Sequence, residues 1–364
     1  MKRRVQVEID LQAIRRNLKK IADKVAPCPV LCVLKANAYG LGVRHYAQAL
    51  KGVKLIGCAE PFEALELKRL LPKAHIQILS SILPDEIEAM VKAGIVLPVT
   101  DLETAKLINA AGKCKVHIKI DSGMGRLGIP IKGALEVIKE VKKLKNLDVE
   151  GIFSHCPMAF VPEDPFTADQ IARFKALIKA CADEGIKFKY VHIAASDAIN
   201  NFPAAYKAPF NVVRTGINLH GSFDPYGRKS LKVEPVLTLK TRVAQVRILP
   251  PGTTLGYGRT WCLNKESKIA TISAGYADGL PLALSNRGHV LIKGKVCPIV
   301  GRISMDYTTV DVTGVDNVRA GDEVICLGSA GGHTITPDDW AALKGTHAYD
   351  IICSFGSRVE RVVK

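Results

Sequence analysis

No apolar stretch in the 364 residues approaches the roughly 20 that a membrane-spanning helix needs, so a helical membrane protein and a membrane partner are not expected. The amino terminus passes from Met1-Lys2-Arg3-Arg4 directly to polar Gln6, Glu8 and Asp10, without the apolar segment of a signal peptide. No CxxC pair and no cysteine–histidine cluster occurs among the 10 cysteines, which gives no ground for a metal. Cys32, Cys58 and Cys326 lie inside apolar runs, the usage of a reduced, cytoplasmic protein that treats cysteine as a small hydrophobe. Acidic residues are few, 35 against 51 basic, leaving a formal charge of +16. A basic balance raises the question of nucleic acid, but aromatics make up only 6% of the chain and are not interleaved with the lysines. Segments such as Lys139-Glu140-Val141-Lys142-Lys143-Leu144-Lys145 read instead as solvated helix faces, so no nucleic-acid partner is expected.

Apolar residues make up 48% of the chain, ample for a core, and the length suits two domains or one large barrel with an addition. Short β-branched runs recur at Val30–Leu34, Lys54–Cys58, Ile76–Leu79, Val96–Val99, Val116–Ile120, Val149–Phe153, Tyr190–Ile193 and Val212–Arg214. Helical patterns separate them, among them Pro61–Leu71, Asp85–Ala93, Leu102–Ala111, Ile131–Leu144 and Thr167–Glu184. Eight such repeats imply an α/β fold, a parallel (β/α)8 barrel over residues 1–235, whose active-site groups occupy the carboxyl ends of the strands. Beyond about residue 235 strand-like runs crowd together between turn signals and helix is sparse, the signature of a mostly β domain over 236–364.

Polar residues fall where that barrel would use them. Lys35 ends the first apolar run, either as an amine held against apolar walls or as a side chain that snorkels out. Gly123-Met124-Gly125-Arg126-Leu127-Gly128 presents an arginine suited to a carboxylate or phenolate oxygen, although an ordinary loop has the same look. Ser154 and His155 follow the sixth run, Ser196 the seventh, and Arg214 stands in the eighth. Gly216 permits close backbone approach, so that its amide and that of Ile217 suit a phosphate. Turns around Tyr257, Tyr276 and Met305 in the second domain read, singly, as plain hairpin turns.

Together these segments resemble the alanine racemase family, over essentially the whole chain to Arg361. The most specific match is Val33-Leu34-Lys35-Ala36-Asn37-Ala38-Tyr39-Gly40, followed in register by Lys119–Gly128, Ser154-His155, His192–Ser196, Val213–Gly221, Leu255–Thr260, Gly275–Gly279, Pro298–Asp306 and Cys353–Arg361. The resemblance implies a pyridoxal 5'-phosphate enzyme that racemises L- and D-alanine and supplies D-alanine, a peptidoglycan precursor. Lys35 would carry the cofactor and act as base for the D-enantiomer. Tyr257 would be the base for the L-enantiomer, reaching the site from the partner subunit of a homodimer, in a cationic setting supplied by His155 and Arg214. Tyr39, Ser196, Gly216 and Ile217 would hold the phosphate, Arg214 would face the pyridine nitrogen, and Arg126, Met305 and Tyr276 would meet the substrate. Lys119 matches a lysine that several members carbamylate.

The chain also departs from the family pattern. Leu41 stands for the usual histidine, Ala195 for asparagine, His220 for tyrosine, Leu282 for arginine and Ser357 for a tyrosine at the entrance. The proton-moving groups are all present, so racemase chemistry is expected while restriction to alanine is not. The alternatives are a serine or broader-specificity racemase of the same fold and a non-catalytic cofactor-binding barrel.

Overall fold

The computed structural model describes residues 3–224, 227 and 229–364. Eight parallel strands form its first part: Val30–Val33, Leu55–Cys58, His75–Ile78, Leu97–Val99, Cys114–Asp121, Leu147–Phe153, Tyr190–His192 and Val213–Thr215. They pair in sequence order, and the two narrowest seams close through a few hydrogen bonds each. The third and fourth strands meet where Val96 N donates to Ile76 O at 2.9 Å and Ile78 N to Val96 O at 3.0 Å. The seventh and eighth meet through Arg214 N to Ala194 O at 3.0 Å, and the eighth returns to the first with Val213 opposite Val30. The expected barrel is therefore present and closed. Its strands are near-continuous apolar runs because helices cover one side and packed side chains fill the other.

The helix Leu11–Val25 opens the barrel layer. Asp10 caps it by accepting from Gln12 N and Ala13 N, and Leu11, Ile14, Ile21 and Val25 bury its inner face. Asn17, fully buried in that helix, donates to Glu234 O at 2.8 Å and accepts from Glu234 N at 2.7 Å, fixing the chain where it leaves the barrel.

Next comes a sheet built on the 13-residue strand Leu237–Leu249, whose first half alternates buried and half-buried positions. It pairs antiparallel with Ser267–Ile272 and Glu323–Ala330. It also pairs with Gln6–Ile9, a strand that lies in the span read as barrel but belongs to this sheet. Glu360–Val363 lies parallel on the other side of Gln6–Ile9, so the two ends of the chain meet in one sheet. Helices Pro337–Lys344 and Ala348–Cys353 lead into that last strand.

Candidate active site

Basic side chains gather at the carboxyl ends of the barrel strands. Lys119 is buried, with its Nζ donating to Leu79 O at 2.7 Å and lying 5.5 Å over the Phe153 ring. Burial, then the charges of Arg126 and Arg214, push its amine down to about 8. Arg126 itself sits on a loop folded around Asp121, whose Oδ1 accepts from Gly123 N at 2.9 Å, Met124 N at 2.8 Å and Gly125 N at 3.1 Å. Asp121 Oδ2 accepts from Arg126 N at 3.2 Å, so one carboxylate arranges the glycine-rich loop that presents the arginine.

Arg214 is buried, and all its described hydrogen-bond partners are neutral. Nη2 donates to Ser154 O at 2.7 Å and Ile193 O at 2.9 Å, and Nη1 to His192 Nδ1 at 2.8 Å. Burial pulls even this guanidinium down to about 10. A buried cation without an anion in contact is costly, and here it stands beside Lys35, Lys119 and Arg126. The mouth is therefore charged for an anionic ligand.

His155 does not supply the positive charge expected of it. Burial, and after it the charges of Arg214, Arg126, Lys119 and Lys35, hold its imidazole down at about 3, so it is neutral at ordinary pH. The cationic setting comes from the arginines and lysines, while His155 Nδ1, 3.4 Å from Arg214 Nη2, is a neutral acceptor.

Lys35 closes the first strand and begins a turn that sequence pattern did not indicate. Ala36 (φ 52°, ψ 47°), Asn37 (φ 55°, ψ 48°) and Ala38 (φ 53°, ψ 52°) are left-handed, as is Tyr39 at φ 57°. Left-handed backbone costs a non-glycine residue about 1–2 kcal/mol, so the surroundings must hold the turn in place. The strand behind Lys35 is buried, but the lysine side chain is exposed at the mouth. Partial burial and Arg126 lower its amine from the ordinary lysine value, against Cys353 and Glu63, which raise it.

At the eighth strand's end a cradle fits a phosphate. A Cβ added at Gly216 would lie 2.1 Å from the Tyr39 hydroxyl, and Gly216 N donates to Ser196 Oγ at 3.1 Å. The Tyr39 hydroxyl, the Ser196 hydroxyl and the backbone at Gly216 and Ile217 thus converge at the rim of a strongly basic mouth. Thr215 Oγ1, buried next to them, has no partner in the described structure. The donor set and charge fit pyridoxal 5'-phosphate, an aldehyde with a phosphate and a phenolic oxygen.

The second-domain residues form a separate group. Gly256 pairs with Arg302, Tyr276 N donates to Ser304 O at 3.1 Å and Ala277 N to Met305 O at 3.1 Å, so three turns are held together. Arg358 braces them, meeting Asp278 at 2.8 Å and Asp306 at 2.8 Å. Tyr257 is 73% exposed, Met305 52% and Tyr276 46%. Among the described residues no hydrogen bond, ion pair or ring contact links these three to Lys35, Arg126 or Arg214.

Of the departures, Leu41 is buried, Ala195 precedes the helix Ser196–Asn201, and Leu282 and Ser357 are exposed. His220 is buried with its Nδ1 bonded to the Tyr46 hydroxyl, and its ring lies 4.6 Å from that of Tyr39. Tyr349 stands 5.8 Å from Tyr39 on another side.

Deeper in the barrel, His75, His117 and Glu150 bring donor atoms within 4.8 Å of one another. Hydrogen-bond polarity argues against a metal there. Arg214 can only donate, so His192 Nδ1 accepts and its Nε2 donates to His117 Nδ1 at 3.2 Å. His117, neutral because burial holds it near 3, then carries its proton on Nε2, 4.0 Å from Glu150 Oε2, with no lone pair there for a metal. Sequence pattern gave no hint of this chain, because each member reads singly as a core residue.

The chain matches the family model described as alanine racemase, N-terminal domain, over residues 9–224 and that described as alanine racemase, C-terminal domain, over 236–363. It is 38% identical over 373 residues to an alanine racemase of Desulforamulus reducens, covering 100% of this chain and 99% of the relative. With an alanine racemase of Halothermothrix orenii it shares 37% over 368 residues, 98% of this chain and 96% of the relative. Among solved structures it is similar to alanine racemase from a D-cycloserine-producing Streptomyces lavendulae, with TM-score 0.91, 31% identity, and 100% and 98% of the two chains covered. It is also similar to alanine racemase from Bartonella henselae with covalently bound pyridoxal phosphate, with TM-score 0.88, 30% identity and both chains covered at 100%. With this barrel, this second domain and matches along its whole length, the chain belongs to the alanine racemase family.

Proposed function

We propose that this protein interconverts L- and D-alanine with pyridoxal 5'-phosphate, using Lys35 and Tyr257 as bases on opposite faces of the substrate. The observation that carries this reading is the union, at one barrel mouth, of four cationic side chains with a Gly216 cradle shaped for a phosphate. Tyr39, Ser196, Gly216 and Ile217 would hold the phosphate, Arg214 would serve the ring nitrogen, and Arg126, with help from Met305 and Tyr276, would orient the substrate carboxylate. When bound, the cofactor supplies an electrophilic carbonyl carbon for an amine and a conjugated ring that accepts electron density as the substrate's Cα–H bond breaks. Lys35 moves the proton on the D side of Cα and Tyr257 on the L side.

A phenol titrates near 10 when free, so Tyr257 needs the positive field of Arg214 and Arg126, with neutral His155, whose Nδ1 lone pair is turned to Arg214 Nη2, offering its Nε2–H to the phenolate oxygen. Because Tyr257, Tyr276 and Met305 stand exposed and apart from Lys35 in one chain, we assign them to the site of a partner copy in a homodimer. Lys119, with its amine down near 8, is suited to react as a neutral amine with carbon dioxide, and the resulting carbamate would offset Arg126. Ten free cysteines, most of them buried, agree with a reducing, cytoplasmic setting. There the product D-alanine would serve as a peptidoglycan precursor.

A panel of L-amino acids assayed for racemisation with added cofactor tests activity and specificity together. Alanine is expected to turn over, with measurable serine racemisation beside it because exposed Leu282 and Ser357 leave the entrance less restricted. Space for one added group is worth only about 1–3 kcal/mol of discrimination. Absence of alanine turnover in cofactor-loaded protein rejects the reading, and an alanine-to-serine ratio unmoved in Ser357→Tyr shows that Ser357 does not set specificity.

A further inference from the structure

The left-handed run Ala36–Tyr39 is held at its far end by its own residues and by the carboxyl-terminal segment. Gly40 N donates to Ala36 O at 2.7 Å, Gly42 N to Asn37 O at 2.9 Å, Val43 N to Asn37 Oδ1 at 2.8 Å, and Arg361 Nε to Gly40 O at 2.9 Å. Its near end is held differently. The amide of Ala36, the first after Lys35, donates to Glu63 Oε1, while Glu63 Oε2 accepts from Ala59 N at 2.8 Å. One carboxylate therefore spans the end of the second barrel strand and the start of the turn that bears the lysine. The lysine side chain itself is exposed and makes no described hydrogen bond that would fix it.

We propose that Glu63 is a positioning residue for Lys35: by bridging the Ala36 and Ala59 amides it holds the left-handed turn in the one arrangement that aims the amine at the barrel mouth. The proposal rests on the reading of Lys35 as the cofactor-bearing residue. A charged acceptor suits the role because a carboxylate makes stronger bonds to amides than a neutral oxygen and can serve two at once. Glutamine in its place offers a single carbonyl oxygen, so it can keep one of the two bonds. Glu63 also faces Lys35 as an anion, opposing Arg126.

The experiment compares wild type, Glu63→Ala and Glu63→Gln in two measurements. One is the affinity for pyridoxal 5'-phosphate after removal and re-addition, with the borohydride-trapped adduct mapped to its peptide. The other is hydrogen exchange at the Ala36 amide. Glu63→Ala is expected to speed Ala36 exchange and to weaken cofactor affinity about ten- to a hundredfold, the scale of a lost charge-assisted hydrogen bond. Glu63→Gln should recover part of both, while exchange in the distant strand Ser267–Ile272 stays unchanged. Wild-type affinity together with wild-type Ala36 exchange in Glu63→Ala overturns the proposal. If Glu63→Ala does not fold, the same result in Glu63→Gln overturns it. An adduct that maps in wild type to a lysine other than Lys35 overturns the reading of Lys35 instead.

Discussion

Asp121 shows how much one carboxylate can organise. Four amide donors converge on it and hold its carboxyl below the usual value, against burial, which acts the other way. Because the folded carboxyl titrates below its unfolded value of about 3.9, the stabilisation it provides is present above that value. It is lost as pH falls through the folded one. Asp121→Ala should destabilise the protein by about 1–3 kcal/mol at pH 7 and raise the KM for alanine, since the loop presenting Arg126 loses its anchor. In acid unfolding followed by circular dichroism, the gap between wild type and Asp121→Ala should narrow as pH falls below the unfolded value and through the lower folded one; a constant gap would show that the carboxyl's charge is not involved. The sequence marked Lys35, Arg126 and Arg214 because strand ends and a glycine-rich loop are visible in a pattern. It misjudged His155, because a histidine's charge depends on how deeply it is buried and which cations surround it, and neither is written in local sequence.

At the scale of elements, every barrel strand was legible because a strand covered on both faces is a largely apolar run. The turn after the first strand was not. Ala36-Asn37-Ala38-Tyr39 carries no glycine until Gly40, and beside its own bonds it meets Glu63 and Arg361, which are distant in sequence. Arg361 donates to four carbonyls, those of Gly40, Phe355, Gly356 and Val359. Arg361→Ala should therefore cost about 2–4 kcal/mol in chemical denaturation, from several half-buried acceptors left to find water. A loss below about 0.5 kcal/mol would show that water replaces it freely. Gly216→Ala tests the opposite end of the site. Its new Cβ would collide with the Tyr39 hydroxyl, so cofactor affinity measured by fluorescence titration should fall at least about tenfold, and unchanged affinity would remove Gly216 from the phosphate cradle.

The whole molecule joins its two ends in one sheet, which the order of elements along the chain did not reveal. Gln6–Ile9 has a short alternating pattern that reads equally well anywhere, and it finds its partners at Leu237–Leu249 and Glu360–Val363 only through long-range closure. In the proposed reading, the same separation in space divides the site. Lys35 and Arg214 belong to the barrel, while exposed Tyr257 and Met305 belong to a second face that one chain does not bring to them. If the proposed site is shared between two subunits, mixing Lys35→Ala with Tyr257→Phe protein should restore part of the activity after subunit exchange, because a hybrid dimer would contain one site with both bases. No recovery after demonstrated exchange would place both bases within a single chain.

The most direct measurement is α-hydrogen exchange into deuterated water, followed separately for L- and D-alanine in cofactor-loaded wild type and Tyr257→Phe. Two bases on opposite faces predict that the variant keeps its cofactor, loses exchange from L-alanine by about 10²–10⁴-fold, and retains exchange from D-alanine through Lys35. Equal losses for both enantiomers, or none for either, would contradict the assignment of Tyr257 to one face and Lys35 to the other.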